Sequence, residues 1–341
     1  MTHELKLIVQ EAVLNQSLGI KNVLVTVVDL DGSSYRHPGV RMLISSKGKM
    51  VGAISGGCVE KEVLRQAQSV FKTGAAKIMT YDGRYRLGCE GVLYILIEPF
   101  IVSNDFKKIF FAKLEERVPI IITSYYLKED NIEGHFYSEI AFNTNRSYTF
   151  SKEKLNTKNQ TLKAFKQTLK PCFKLLIVGG EHDAVKLCAS AAILGWEIDV
   201  VTSVNNPKTL KDFPGAKTVI SSTPENFNYN ILDAHSAVVL MTHNYAQDLS
   251  CLLKLKTYAL AYIGILGSAK RRDKLQNDLL DYLSDVDESF FNSIYSPAGL
   301  NIGAITPEEI AVSIVSEILA ITREKKPDNL KYITGKIHLQ S

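Results

Sequence analysis

Hydrophobic and polar positions along this chain follow two periods, and the changes of period mark out its elements. Over 4–18 the apolar residues recur at helical spacing, and Gly19 follows as a stop signal. A valine-rich run over 22–28 predicts a strand. A polar loop then leads to 41–45 and 50–55, which predict a hairpin turning at Lys47-Gly48. Val59, Val63, Ala67, Val70 and Phe71 return to helical spacing, closed by Gly74. Two more strands are predicted over 77–81 and 92–98. The run over 92–97 is continuously apolar, as a strand buried on both faces should be.

The middle of the chain is less regular. A strand is predicted over 119–127, and 132–150 alternates weakly. The stretch 151–170 is polar and lysine-rich, and reads as a linker with solvated lysines. A second pattern opens at Lys174-Leu175-Leu176-Ile177-Val178-Gly179-Gly180. Strand, Gly-Gly turn, helix (183–194), Gly195 and strand (197–202) make a βαβ start. Strands at 217–221, 237–242 and 261–266 then alternate with helices at 247–256, 269–282 and 306–322. The expected class is α/β. A mixed N-terminal domain covers 1–150, and a Rossmann-like doubly wound parallel sheet covers 171–330.

Composition narrows the function. The chain has 341 residues, 45% hydrophobic and 22% charged, enough for two separate cores. A net charge of +4 gives no reason to expect nucleic-acid binding. No stretch reaches the ~20 apolar residues of a membrane helix. The first residues lack the basic, apolar, small-residue order of a signal peptide. The five cysteines, Cys58, Cys89, Cys172, Cys188 and Cys251, are odd in number and form no CxxC pair. That argues against a disulfide framework and a structural zinc site, and a reducing cytoplasm is expected.

The candidate chemistry centres on Ile54-Ser55-Gly56-Gly57-Cys58-Val59-Glu60. This spacing sets Cys58 at a strand-to-helix turn, where the helix dipole and backbone N–H groups favour an anion. A thiol there has a lowered pKa and is a better nucleophile or metal ligand. The bland alternative is a small buried hydrophobe behind a glycine turn. Cys89 stands between Gly88 and Gly91 in a loop with Arg84 and Arg86. Arg36 and Arg41 follow a Gly-Ser-Ser turn and offer cationic contacts. Two accessible thiols with arginines suit a ligand that is anionic and bears sulfur or metal. No histidine lies near enough in sequence to serve Cys58 as a base, which speaks against a cysteine hydrolase.

In the second domain the G-x-G-x-x-A frame reads Gly179-Gly180-Glu181-His182-Asp183-Ala184. Glu181 stands where the second glycine lets a pyrophosphate approach. Thr202-Ser203 replace the acidic residue at the end of the second strand, and Asp199 lies inside that strand. A Rossmann fold without its nucleotide and an NAD(P)-dependent oxidoreductase or nucleotide-binding regulatory partner both stay open. His243 and Asn244 follow a strand directly, as either strand-end residues or donors into a crevice. Gly267 and Ser268 precede Arg271 and Arg272, whose charges oppose the dipole of the helix they open by about 0.3–1 kcal/mol each. An anion at that terminus, or solvation, would offset them. Thr306, Pro307 and Glu309 make a capping box, which is structural.

Together these motifs resemble the xanthine dehydrogenase accessory protein family (XdhC/CoxI). The resemblance rests on 32–43, 52–60, 87–91 ahead of 97–99, 241–245, 262–272, and 296–304 with 306–309, in order along both domains. Glu181 in the glycine turn and Glu90 beside Cys89 depart from the family's pattern. The resemblance implies a cytoplasmic, homodimeric chaperone of molybdenum cofactor. Such a chaperone protects the cofactor, assists its sulfuration with a cysteine desulfurase, and passes it to a molybdenum hydroxylase such as xanthine dehydrogenase. The implied contacts are Cys58 and Cys89, with Cys58 meeting the molybdenum or its sulfur. Gly56, Gly57, Arg36, Arg41 and the helix start at Gly267–Arg272 suit the rest of the cofactor, including its phosphate.

Overall fold

A computed structural model describes residues 1–32, 37–55, 57–85, 91–142, 146–151, 162–282 and 288–333, apart from the side chains of residues 58, 85, 288 and 289. It divides into two compact units, Met1–Pro171 and Cys172–Ser341.

Unit one begins with α1 (Thr2–Ser17), then β1 (Asn22–Asp31), β2 (Arg41–Ser45) and β3 (Met50–Gly52). Next come α2 (Cys58–Thr73), β4 (Ala76–Asp82), β5 (Val92–Pro99) and α3 (Asn104–Glu115). The unit closes with β6 (Ile120–Tyr126), β7 (Ile132–Gly134), β8 (Tyr137–Ala141), β9 (Ser147–Thr149) and β10 (Lys163–Leu169). These strands build a six-stranded sheet, β3-β2-β1-β5-β4-β7, and a four-stranded sheet, β10-β6-β8-β9. The hairpin expected at Lys47-Gly48 is β2–β3. Alternation along β1 separates the two faces of the larger sheet. Val23, Val25 and Val27 pack with Val59, Val63, Ala67 and Val70 of α2. Leu24, on the other face, joins α1, α3 and the smaller sheet through Ile8, Phe110, Ile122 and Ile140.

The expectation of a linker over 151–170 fails at its second half. Residues 163–169 are β10, paired antiparallel with β6 from Lys163↔Tyr126 to Leu169↔Ile120. β10 is an edge strand, and Lys163 and Lys166 stand exposed on it. Charge on an edge strand blocks pairing with other chains, and it reads as linker composition.

A polar seam crosses the interior between the two sheets. Arg41 pairs with Thr26, and Glu98 pairs with Leu24 two positions away on β1, so both project to the same face. Glu98 is fully buried and accepts from Ser138 N at 2.8 Å and Ser138 Oγ at 2.6 Å. Burial pushes its carboxyl up to about 7, although Ser138 and the Arg41 charge pull the other way. The folded chain therefore keeps a proton that the unfolded chain releases near 4.5. Stability tied to Glu98 is complete below that value and is lost as pH rises to about 7, in total about 3 kcal/mol. Glu98→Gln keeps both Ser138 bonds, with the hydroxyl turned to accept. Its urea midpoint is expected to stay flat from pH 5 to 8 and to exceed wild type at pH 8. An unchanged pH slope in the variant would place the proton elsewhere.

Unit two opens with β11 (Lys174–Val178), α4 (His182–Ile193), β12 (Glu197–Thr202) and β13 (Thr218–Ser221). Then come β14 (Ser236–Leu240), α5 (Tyr245–Leu255), β15 (Tyr262–Ile265) and α6 (Ala269–Tyr282). It ends with α7 (Glu288–Asn292), β16 (Ile294–Tyr295) and α8 (Pro307–Thr322). All neighbours pair in parallel, in the order β13-β12-β11-β14-β15-β16. This is the expected doubly wound Rossmann-like sheet. One face packs on α4 and α8 through Leu187, Ala191, Ile314 and Ile318. The other packs on α5 and α6 through Leu252, Leu255, Leu275 and Leu279. The capping box of α8 forms: Thr306 Oγ1 accepts from Glu309 N, and Glu309 Oε2 accepts from Thr306 N at 3.0 Å.

Candidate functional site

In unit one the candidate is the turn that enters α2. Gly57 is its N-cap at φ +109°, with Cys58 the first helical residue. That φ is costly for any residue with a Cβ, although open space surrounds the position where one would sit. Backbone geometry, not crowding, thus requires the glycine. The turn is held from inside by Glu60. Its Oε1 accepts from Ile54 N at 3.0 Å and Ser55 N at 2.5 Å, and its Oε2 accepts from Gly57 N at 2.7 Å. Burial pushes this carboxyl up, but the backbone N–H bonds outweigh it and hold the group below its ordinary value. Three N–H groups of the turn are therefore satisfied within the chain. Glu60 is the residue that sequence reasoning passed over, and its capping-box spacing from Gly57 was the signal.

Three other cysteines lie in the interior. Cys172, Cys188 and Cys251 are buried and outside any disulfide. Burial pushes the Cys188 thiol up to about 11 and the Cys251 thiol up to about 12. Such thiols are poor nucleophiles and poor ligands at neutral pH. Arg36, Gly56 and Cys89 lie outside the described residues, as does the Cys58 side chain. Arg41, expected as a cationic contact, is an interior residue. Its Nη1 donates to Gly39 O at 2.9 Å and Gln167 Oε1 at 2.5 Å. Among the described residues, no cluster of His, Cys, Asp or Glu has the arrangement of a metal site.

In unit two the candidates gather at the carboxyl ends of the parallel strands. β11 and β14 are adjacent there, and the strand order reverses between them. Gly179 passes so close to β14 that a Cβ would meet Met241 O at 2.4 Å. A shallow cleft, open to solvent, lies over this point and is lined by Gly179, Gly180, Glu181, Thr202, Ser203 and Thr242, among others. Asp199 faces away from this role. It is buried, paired with Lys174 Nζ at 3.0 Å, and it accepts from Thr218 Oγ1 at 2.5 Å.

The remaining candidates form a second group beyond Thr242. Its Oγ1 donates to buried Asp248 at 2.6 Å, and Asp248 Oδ2 accepts from Arg271 Nη2 at 2.6 Å. The Arg271 charge, which either an external anion or solvent was expected to offset, is met by Asp248. Arg272 pairs with neighbouring Asp273 at 2.8 Å. Asn244 caps α5 by accepting from Gln247 N, and Ser268 Oγ accepts from Arg271 N at 3.3 Å. His243 is exposed at φ +54°, with Nε2 4.0 Å from Asp183 Oδ2. Gly267 is exposed at the head of this group. Most of these side chains therefore tie the strand-end loops together.

Comparisons with known proteins match both units. Residues 16–82 match the XdhC and CoxI family, and residues 175–318 match the XdhC Rossmann domain. The chain is 32% identical over 314 residues to a probable xanthine dehydrogenase subunit of Bacillus subtilis, covering 87% of this chain and 92% of that protein. It is 22% identical over 334 residues to the molybdenum cofactor insertion chaperone PaoD of Escherichia coli, covering 96% and 92%. A crystal structure described as a xanthine dehydrogenase from Bacillus halodurans superposes with a TM-score of 0.74 at 26% identity, over 93% of this chain and 96% of that one. No helix among the described residues is long and apolar enough to cross a membrane. With its two units matched in order and a relative above 30% identity over most of both chains, this chain belongs to the XdhC and CoxI family.

Proposed function

We propose that this chain is a molybdenum cofactor chaperone serving a xanthine dehydrogenase-type molybdenum hydroxylase. In this reading it binds the cofactor as cargo, shields it, assists its sulfuration with a cysteine desulfurase, and delivers it. It works as a homodimer in the cytoplasm and is not itself an enzyme. One observation carries the reading: a cysteine is fixed at the first residue of α2 by a turn that Gly57 and Glu60 build. The relative named as an insertion chaperone, matched over 92% of its length, supports it.

The chemistry follows from that position. A dipole at a helix N-terminus favours the thiolate, and a thiolate is a soft ligand matched to a metal held by sulfur. Cys58, with Cys89, would hold the molybdenum end of the cargo. Gly56 and Gly57 let the cargo approach the backbone, and Arg36 supplies charge for its phosphate. Because Glu60 takes up the N–H groups of the turn, the turn keeps its shape without cargo. Delivery needs that economy: affinity built on a fixed site is not spent on ordering a loop.

The test uses purified components. Loaded chaperone is expected to activate the cofactor-free hydroxylase faster, and to a higher final level, than an equal amount of free cofactor under air. Equal activation by free cofactor would remove the chaperone role.

A further inference from the structure

An apolar stripe of α1 stands in solvent beside an open edge of the larger sheet. Leu7, Leu14 and Leu18 are 53%, 53% and 65% exposed. With Glu11 they follow the spacing i, i+4, i+7, i+11, which is the seam along which two helices pack. The core of the unit does not use them, because α1 packs inward through Leu5, Ile8, Val9 and Ala12. Two contacts fix where the stripe points. Glu11 pairs with Lys49 Nζ at 2.8 Å, beside the start of β3. Gln16, about 140° further round the helix, donates from Nε2 to Val102 O at 3.1 Å on the inner side. The leucines therefore face out past β3, the last strand of its sheet.

The strand edge beside the stripe is unguarded. Where β10 carries lysines, the run Met50-Val51-Gly52-Ala53 has neither charge nor proline. Ser45 N donates to Lys49 O at 2.9 Å, towards β2. By the alternation of an antiparallel pair, Met50 N–H and C=O and Gly52 N–H then point away from β2.

One operation covers both features. A two-fold axis normal to the sheet pairs β3 antiparallel with β3 of a second copy, and it sets the two α1 stripes side by side. The spacing agrees. α1 packs over β2 and β3, on the paired residues Leu43 and Val51. Strands lie about 4.8 Å apart, so a helix midway over that pair is about 4.8 Å from the axis. The two helices are then about 10 Å apart, a distance at which helices interdigitate. The charges agree as well. An antiparallel register that sets Leu7 on Leu18 of the second copy brings exposed Glu4, in the first turn, to exposed Lys21, just past the helix end.

We infer that a second copy of this chain docks here, joined across a two-fold axis by β3 on β3 and α1 on α1. The inference rests on the homodimer of the proposed function and supplies its interface. It also places the two candidate turns. β3 runs on towards Gly57, and the paired strands are antiparallel, so the two turns leave the joined sheet in opposite directions. Each copy keeps its own turn.

Sedimentation of the full chain, without cofactor, tests it. The wild type is expected to be a dimer. Leu14→Glu with Leu18→Glu sets like charges along the seam and is expected to raise the dissociation constant about a hundredfold, with the circular dichroism of the wild type. Met50→Pro removes an outward N–H and spares the bonds from β3 to β2, and is expected to raise the constant about tenfold. Leu280→Glu, at an exposed leucine of α6, is expected to leave the dimer intact. In the wild type, exchange at the Met50 and Gly52 amides is expected to quicken on dilution. A monomeric wild type would overturn both this interface and the homodimer. A dimer that survives the leucine pair or Met50→Pro unchanged would overturn this interface alone. A monomer whose capture by the hydroxylase those variants abolish would give the ridge to the client instead.

Discussion

Arg41→Ala is expected to cost the protein about 3–5 kcal/mol at neutral pH, the upper range for deleting a large buried side chain together with its hydrogen bonds. Arg41 is 7% exposed, and its guanidinium, pushed down to about 10 by burial, stays charged at neutral pH. The alanine variant loses the donor to Gly39 O and Gln167 Oε1, and so unties Gly39 from β10. It leaves a cavity between the two sheets. It also removes the positive charge that the buried Glu98 carboxyl faces. Opposing this, Arg41 Nε and Nη2 are buried with no hydrogen-bond partner among the described residues, which already weakens the wild type. Arg41→Met keeps most of the volume and discards those unmet donors, so it should lose clearly less than alanine. Hydrogen exchange at the β1, β2 and β5 amides reads the difference. Exchange is expected to quicken by about two to four powers of ten in Arg41→Ala. Exchange at the wild-type rate would mean that the guanidinium supports nothing in the seam.

The second unit was the more legible from sequence, and the reason is physical. Its central strands are buried on both faces and read as unbroken apolar runs, as at Val238-Val239-Leu240. Its helices carry punctuation, such as Gly195 after α4 and the Thr306-Pro307-Glu309 box before α8. The two-residue β16 and the five-residue α7 are too short to show a period. In the first unit β10 was hidden because an edge strand has one face in solvent and carries lysine. The sites were less legible than the fold. The sequence shows residue types, and several of those picked for a ligand prove to have partners inside the chain. Asn244 is a helix cap, Arg271 answers Asp248, and Arg41 is interior. A basic residue beside a glycine looks alike in both roles until the acid that meets it is placed in space. Asp248 lies 23 residues from Arg271, beyond the reach of any local pattern. Glu60 was passed over although its capping-box spacing from Gly57 is local.

Cys58→Ala carries the largest expected effect on function. The variant keeps the Gly57 φ and the three Glu60 bonds, since neither involves the cysteine side chain. Alanine is also a good helix former. Stability is therefore expected to stay within about 0.5 kcal/mol of wild type. Binding should not survive as well. On the proposed reading the cargo's metal end is held by a thiolate bond, and alanine offers none. Cys188→Ala and Cys251→Ala serve as controls. Both thiols are raised by burial and held among core side chains, so their loss is expected to lower stability and spare cofactor content.

The most direct measurement is the molybdopterin and molybdenum content of the protein purified without air from a cofactor-producing host, wild type beside Cys58→Ala. The account predicts near-stoichiometric pterin in the wild type and at least a tenfold drop in the variant, with matching unfolding curves. Equal pterin in both proteins, or none in the wild type, would contradict it.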